Sequence, residues 1–101
     1  MNNAAQNAVR AHVEIYTTPI CPYCVRAKAL LKLKGASYAE HNVGMDRAAW
    51  ELMVERAHGR RSVPQIFIND RHIGGFDDMD ALNRRGELDP LLAQSPEEAD
   101  A

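Results

Sequence analysis

The stretch His12-Val-Glu-Ile-Tyr-Thr17 is followed, after three residues, by Cys21-Pro-Tyr-Cys24, and this junction decides the fold. The first segment is β-branched and aromatic with alternating polar residues, which is typical of a strand. The residues from Tyr23 to Lys34 carry alanine, leucine and lysine at helical spacing and predict a helix that stops at Gly35. Pro22 suits the first position of that helix, because its missing N–H would have no intrahelical partner there. The two thiols therefore lie where a strand passes into a helix.

The remainder of the chain alternates strand and helix signals and contains no internal repeat. A second strand is predicted at 38–43, followed by a second helix that runs from an Asp46 cap to His58, stops at Gly59 and carries an apolar stripe of Trp50, Met53, Val54 and Ala57. A hairpin of Ile66-Phe-Ile68 and Arg71-His-Ile73 comes next. The third predicted helix is capped by Asp77 or Asp78 and ends near Gly86, and Asp89-Pro90 opens a short last helix. A helical crossover makes the first two strands parallel, and the hairpin extends their sheet. This order predicts a small α/β sandwich with helices on both faces.

The composition narrows the class of protein. The chain has 101 residues, of which 46% are hydrophobic and 26% charged, and its net charge is −2. Such a length suits one domain. The charge pattern shows no basic face for nucleic acid, and no apolar run approaches the ~20 residues that span a bilayer. We therefore expect neither a nucleic-acid nor a membrane partner. The sequence gives no sign of the oligomeric state, and a monomer is the default expectation.

The two ends of the chain differ in character from its middle. Residues 1–11 lack the charged start and apolar stretch of a secretory signal and are predicted to be a disordered lead-in. Residues 12–93 form the predicted domain, and the acidic residues 94–101 are expected to be a frayed tail. Both cysteines of the chain lie in one motif, which argues against a secreted disulfide scaffold. The expected compartment is therefore a reducing one, the cytoplasm.

The position of the two thiols predicts redox chemistry. Cys21 lies at the helix N-terminus, where free N–H groups and the macrodipole favour a thiolate. Cys24 lies one turn further on, faces the packed side and is predicted to be the resolving thiol. A more acidic Cys21 gains little as a nucleophile, because nucleophilicity falls as the pKa falls, but it becomes a better leaving group. The motif thus predicts rapid turnover of mixed disulfides.

Two other interpretations of the motif are possible. A structural zinc site needs four ligands, and the four histidines of the chain offer no matching pair of ligands. No metal is therefore expected. An inert local disulfide is the other alternative.

Two further segments carry weaker signals. Ser62-Val63-Pro64 precedes a strand, and a cis bond there would leave the backbone of Val63 free to hold an extended thiol peptide. A plain strand boundary is the simpler interpretation of this proline. In Gly74-Gly75-Phe76-Asp77-Asp78, the glycines permit close backbone approach and the aspartates are most simply helix caps. The functional alternative is a site for the α-amino-acid end of a γ-glutamyl group.

Together these segments resemble the glutaredoxin family, specifically its short bacterial dithiol type, from about Val13 to Leu92. The matching motifs are Val13-Glu-Ile-Tyr-Thr17, Cys21-Pro-Tyr-Cys24, Arg26-Ala-Lys-Ala-Leu-Leu31, Ser62-Val-Pro-Gln-Ile-Phe-Ile68, His72-Ile-Gly-Gly75 and Asp77-Asp78. The resemblance implies a thioredoxin-like three-layer sandwich with a four-stranded mixed sheet. It also implies a glutathione-dependent oxidoreductase that reduces glutathionylated and disulfide-bonded proteins through Cys21 and Cys24, with glutathione as the reducing co-substrate.

The resemblance assigns the glutathione groove as well. It implies that Tyr23 walls the groove, that Val63 pairs its backbone with the glutathione cysteine, and that Pro64 is cis. The turn Gly75-Phe76-Asp77 would receive the γ-glutamyl end, helped by Ser62 or Asp78.

One position departs from the family pattern. Relatives often carry a lysine three residues before the first cysteine, where this chain has Thr18. Either the helix terminus suffices, or Arg56 or the pair Arg60–Arg61 supplies the positive charge. Arg56 is the favoured candidate here, because it precedes the Gly59 turn by one helical step.

Two alternative functions remain open from the sequence. The chain could be a thioredoxin-like reductase served directly by a flavoprotein reductase, although the Gly75–Asp78 segment favours glutathione. It could also be a dimer that holds a [2Fe–2S] cluster through Cys21 and two glutathiones. Pro22 argues against the cluster, because cluster-carrying relatives usually have a smaller residue there.

Overall fold

A computed structural model describes residues 8–100 of the chain. Its elements are β1 (Val13–Thr17), α1 (Pro22–Leu33), β2 (Ala39–Asn42), α2 (Arg47–Arg56), β3 (Gln65–Ile68), β4 (Arg71–Gly74), α3 (Phe76–Arg84), α4 (Leu88–Ala93) and α5 (Pro96–Asp100). The four strands form one sheet in the order β2-β1-β3-β4. β1 and β2 are parallel, whereas β3 is antiparallel to both β1 and β4. The predicted parallel crossover and the predicted hairpin are both confirmed.

Each face of the sheet packs against its own apolar cluster. The larger cluster joins β1 and β3 to α1, α3 and α4, and its members include Val13, Ile15, Leu31, Ile66, Ile68, Met79, Leu88 and Leu92. The smaller cluster joins the other face to α2 through Tyr16, Val43, Met53, Ala57 and Phe67, with Trp50 and Val54 packed against it. The predicted stripe of α2 is therefore its buried side, and helices cover both faces of the sheet.

Helix α1 begins and ends where its sequence predicts. Cys21 is the N-cap and Pro22 the first helical residue. After the helix, Gly35 has a φ of +77°, a left-handed conformation that glycine adopts at little cost. The amide of Gly35 donates to the Lys32 carbonyl and that of Ala36 to the Leu31 carbonyl, so the last turn keeps its hydrogen bonds.

Helix α2 ends two residues earlier than predicted, and His58 as well as the predicted stop, Gly59, has a positive φ. Asp46 caps its start by accepting the Ala49 amide at 3.0 Å, as expected. At the other end His58, with a φ of +58°, takes the left-handed position that was predicted for Gly59. The amides of His58 and Gly59 then donate to Glu55 and Val54 in the same capping pattern as after α1.

The predicted caps of the two later helices are wrong. Gly75 is the N-cap of α3, so that Asp77 and Asp78 lie inside its first turn. Glu87 is the N-cap of α4, so that helix also begins before its predicted cap, Asp89. In α3 the Asp78 carboxylate reaches back to the Gly75 amide, which stabilises the helix start from within.

The two ends of the described segment, residues 8–100, meet beside α4. The predicted lead-in falls partly on residues 1–7, which lie outside the described residues. Its last part is anchored, because the amides of Arg10 and Ala11 donate to the Leu92 carbonyl. Residues 96–100, expected to fray, form the short helix α5, and Arg10 pairs with Glu98 there. Among residues 8–100, no helix is long and apolar enough to cross a membrane.

Candidate active site

Cys21 and Cys24 form a disulfide at the N-terminus of α1. The Cys24 amide donates to Cys21 Sγ at 3.1 Å, so the sulfur itself caps the helix. Cys21 is half-buried, whereas Cys24 is 1% exposed and lies against the core. The first turn of α1 contains no acidic residue, which leaves the positive end of the helix dipole uncompensated. This arrangement favours negative charge on Cys21 and shields Cys24 from solvent.

The segment Ser62-Val63-Pro64 lies opposite the sulfur of Cys21. The Val63–Pro64 peptide bond is cis. Cys21 Sγ is 3.9 Å from the Val63 carbonyl oxygen. Strand β3 begins directly after Pro64, so the paired sheet supports this segment from one side. A backbone edge is thereby presented next to the reactive sulfur.

The N-terminus of α3 forms the far wall of the site. Asp78 accepts the Gly75 amide at 2.9 Å and an Arg60 N–H at 3.0 Å. The Gly75 amide, followed by Arg60, lowers the pKa of the Asp78 carboxyl. Gly74 has a φ of +117°, and a Cβ there would collide with this carboxylate. Gly74 therefore leaves room for the aspartate to fold back onto the backbone.

These three parts enclose a groove of about 220 Å³. Its lining residues are Tyr23, Arg60, Ser62, Val63, Pro64, Gly75, Phe76, Asp77 and Asp78. Tyr23 is 49% exposed, and its ring centroid lies 6.3 Å from that of Phe76 across the groove. The structure thus brings together every sequence-predicted groove residue except Arg56. Arg60 joins them through its ion pair with Asp78, which the sequence does not reveal.

Arg56 lies elsewhere, contrary to the prediction that it serves the groove. Its guanidinium donates to Glu14 at 3.0 Å and to the Tyr16 hydroxyl at 2.8 Å. Glu14 lies at the start of β1, whereas Cys21 follows the end of that strand. The position of Arg56 one helical step before the Gly59 turn did not predict its location. The Glu14 carboxylate on β1 holds the Arg56 side chain at the end of the strand away from Cys21.

A second cavity of about 500 Å³ lies beside the loop that leads to Cys21. Thr18, Met45, Trp50 and Arg61 are among its lining residues. Its two acidic residues have other partners, since Asp46 caps α2 and Glu51 lies 4.0 Å from Arg47. Within residues 8–100, Arg61 has no ion-pair partner, in contrast to Arg56 and Arg60. The cavity therefore contains an uncommitted positive charge near Thr18.

Metal ligands are not grouped in the described part of the chain. No set of three or more histidine, cysteine or acidic side chains is placed to hold a metal ion among residues 8–100. Both cysteine sulfurs of the chain belong to the Cys21–Cys24 disulfide.

The sequence is similar to those of known glutaredoxins. The glutaredoxin family model matches residues 13–73. A probable glutaredoxin of Synechocystis is 56% identical over 85 residues, which cover 84% of this chain and 97% of that protein. Glutaredoxin 3 of Escherichia coli is 57% identical over 82 residues, covering 81% of this chain and 98% of that protein.

Solved structures agree with these sequence matches. The crystal structure of a buckwheat glutaredoxin–glutathione complex has a TM-score of 0.74 at 30% identity, covering 88% of this chain and 83% of that one. The solution structure of glutaredoxin from Brucella melitensis has a TM-score of 0.74 at 48% identity, covering 85% and 92%. The predicted thioredoxin-like sandwich with its four-stranded mixed sheet is confirmed by these likenesses.

Proposed function

The chain belongs to the glutaredoxin family of glutathione-dependent thiol–disulfide oxidoreductases, and we propose that Cys21 is its attacking thiol and Cys24 its resolving thiol. The observation that carries this assignment is the asymmetry of the pair. Cys21 Sγ caps α1 and borders the groove, whereas Cys24 is buried behind it. Only the first of the two sulfurs is accessible to a bulky disulfide.

In the monothiol route, the Cys21 thiolate attacks the glutathione sulfur of a glutathionylated protein. A Cys21–glutathione disulfide forms, and the protein thiolate leaves with the electron pair and takes up a proton. A second glutathione thiolate then attacks the bound glutathione sulfur, releases Cys21 as a thiolate and departs as oxidised glutathione. The helix N-terminus stabilises the leaving Cys21, which accelerates this second step.

In the dithiol route, Cys21 attacks a protein disulfide and forms a mixed disulfide with one of its sulfurs. Cys24 then attacks Cys21 Sγ, releases the second protein thiol and closes the Cys21–Cys24 disulfide. Two glutathiones reopen that disulfide and leave as oxidised glutathione, so two electrons pass to the protein substrate. The donor at Cys24 N–H stabilises Cys21 Sγ when it carries negative charge.

We assign the groove to glutathione bound through Cys21. The Val63 backbone pairs with the cysteine of glutathione, beside the cis Pro64, and Tyr23 covers it from the α1 side. The γ-glutamyl carboxylate meets the turn Gly75-Phe76-Asp77 at the N-terminus of α3. The Gly75 amide already donates to Asp78, so the carboxylate is assigned to the amides of Phe76 and Asp77, which open the helix and favour an anion. Its ammonium pairs with Asp77 or Asp78, helped by Ser62.

We further assign to Arg61 the charge that relatives obtain from the lysine at the Thr18 position. If the γ-glutamyl end points toward α3, the glycine carboxylate points to the other side of Cys21. On that side we place the carboxylate in the cavity that Thr18 and Arg61 line. A guanidinium with no ion-pair partner among residues 8–100 suits a carboxylate there.

The partners of the enzyme follow from this chemistry. We propose that it acts as a monomer on glutathionylated and disulfide-bonded proteins in the cytoplasm, since its cysteines must be kept reduced by glutathione between turnovers. Residues 12–93 are the proposed catalytic domain.

A coupled assay tests the assignment of the two thiols. NADPH consumption is followed with glutathione, glutathione reductase and a small glutathionyl mixed disulfide. We expect turnover in the wild type and in Cys24→Ser, and none in Cys21→Ser. An inactive but folded Cys24→Ser protein would make the dithiol route obligatory, and no turnover in the wild type would remove glutathione as the reductant.

A further inference from the structure

Gln65 is a fully buried polar residue next to the groove. It follows Pro64, begins β3 and is 0% exposed. Its amide nitrogen donates to the Ser62 carbonyl at 3.0 Å and lies 3.3 Å from the Ser62 hydroxyl. Its amide oxygen is 2.6 Å from Nε2 of His72 on β4. One side chain thus connects the sheet to the segment that faces Cys21.

The chemistry of these partners determines the direction of each hydrogen bond. A carbonyl oxygen accepts only, so the Gln65 nitrogen must face Ser62 and its oxygen must face His72. His72 Nε2 therefore carries a proton and donates it to Gln65. Nε2 is protonated both in this neutral tautomer and in the imidazolium ion, so the bond does not depend on the titration of His72.

Ser62 depends on Gln65 for its conformation. Residues 61–64 belong to no helix or strand. Within the described range, the hydrogen bonds of Ser62 are those from Gln65. Because Ser62 precedes Val63, the position of the Val63 backbone beside Cys21 is held from one side by β3 and from the other by this amide.

We propose that Gln65, braced by His72, is a positioning residue that holds the Ser62–Val63 backbone in place to bind glutathione next to Cys21. This inference rests on the proposed glutathione groove. Neither side chain touches the reacting sulfurs. Their effect is preorganisation, because a backbone edge that is already in place loses less conformational freedom when glutathione pairs with it.

The inference predicts that removing these hydrogen bonds slows the reaction with a glutathionyl disulfide more than the reaction with other disulfides. Gln65→Met keeps the volume of the side chain and removes its polar contacts, and Gln65→Glu keeps an acceptor for His72 but has no donor for Ser62. His72→Phe removes the donor to Gln65, whereas His72→Gln can supply another amide N–H. Arg71→Gln, an exposed neighbour on β4, is the matched control.

The experiment compares two single-turnover reactions of the reduced protein by stopped flow. One uses a small glutathionyl mixed disulfide, and the other uses bis(2-hydroxyethyl) disulfide in the absence of glutathione, which reacts at Cys21 without needing the groove. We expect both Gln65 variants to lower the first rate constant about tenfold and the second less than twofold. His72→Phe should lose about threefold in the first reaction only, and His72→Gln should recover most of it.

Each outcome decides the inference. Equal losses with both disulfides would show a general structural role and overturn it, as would a folded Gln65→Met protein with unchanged preference for the glutathionyl substrate. If the Gln65 variants do not fold, as judged by circular dichroism, the His72→Phe and His72→Gln pair decides in the same way. A wild-type protein with no preference for the glutathionyl disulfide would instead overturn the proposed groove itself.

Discussion

Arg56 and Glu14 form a two-point ion pair, with nitrogen–oxygen distances of 3.0 and 3.1 Å, that joins α2 to β1. The guanidinium carbon also lies 4.1 Å from the centroid of the Phe67 ring. The two side chains are only 22% and 14% exposed. The pair is partly shielded from water and therefore stronger than an exposed ion pair. It fastens α2 to the sheet at the end remote from Cys21.

Replacing Arg56 should therefore affect stability and spare catalysis. In Arg56→Gln the half-buried Glu14 loses its main partner, and we expect the free energy of unfolding to fall by about 2 kcal/mol, between the values for exposed and buried pairs. The kcat/KM for a glutathionyl substrate should stay within about twofold. Urea unfolding and the coupled assay measure the two quantities. A folded Arg56→Gln protein with strongly reduced activity would show that Arg56 does serve the groove.

The same pair predicts acid sensitivity. The hydrogen bonds from Arg56 hold the pKa of Glu14 below its ordinary value of 4.5. The carboxylate therefore adds stability that is fully present above this value and is lost as the pH falls through the lower pKa of the folded state. We expect the difference in unfolding free energy between wild type and Glu14→Gln to be larger at pH 6 than at pH 3 and to narrow below about pH 4.5. A difference that persists unchanged to pH 3 would contradict this role of Glu14.

The positive charge that binds the glycine carboxylate should work equally well from position 61 or from position 18. Arg61→Gln is expected to raise the KM for a glutathionyl substrate about fivefold with little change in kcat, the effect of losing about 1 kcal/mol of charge-assisted contact. Thr18→Lys in the Arg61→Gln background should restore most of the affinity, because it places a cation in the same cavity. The effect should weaken at high salt. If Thr18→Lys does not restore the affinity, the assignment of Arg61 to the glycine carboxylate is wrong.

The left-handed conformation of His58 predicts a stabilising substitution. Glycine occupies the equivalent position after α1 and α3, at Gly35 and Gly86. Since a residue with a Cβ pays about 1 kcal/mol in this conformation, His58→Gly should raise the unfolding free energy by roughly that amount. His58→Asn, which tolerates the conformation better than most residues, should fall between the two proteins. Thermal and urea unfolding test this order, and a less stable His58→Gly protein would refute it.

The sequence predicted the elements well because their signals are local. Strand β1 and helix α1 follow from alternation, from Pro22 and from Gly35, all within a few residues of the structure they determine. The groove was predicted from three separate segments, but only their shared resemblance to one family indicated that they meet. Composition and periodicity alone did not predict that Val63 lies next to Cys21.

The errors arose where partners lie far apart in the sequence or where two local solutions compete. Arg56 is held by Glu14, a contact across 42 positions that no helical pattern reveals. Gly75 rather than an aspartate caps α3, because Asp78 can reach back to the Gly75 amide from inside the helix. The role of Gln65 was likewise invisible, since a glutamine after a proline gives no sign of which groups it will bind.

The unequal burial of the two cysteines gives the disulfide a direction. An incoming thiolate can approach Cys21 Sγ along the groove but has no path to Cys24, which is 1% exposed. Cleavage is therefore regioselective, and Cys24 is always the departing sulfur. By microscopic reversibility, oxidation of the dithiol must pass through the same Cys21 adduct. The same groove consequently determines which substrates oxidise the dithiol and which thiols reduce the disulfide.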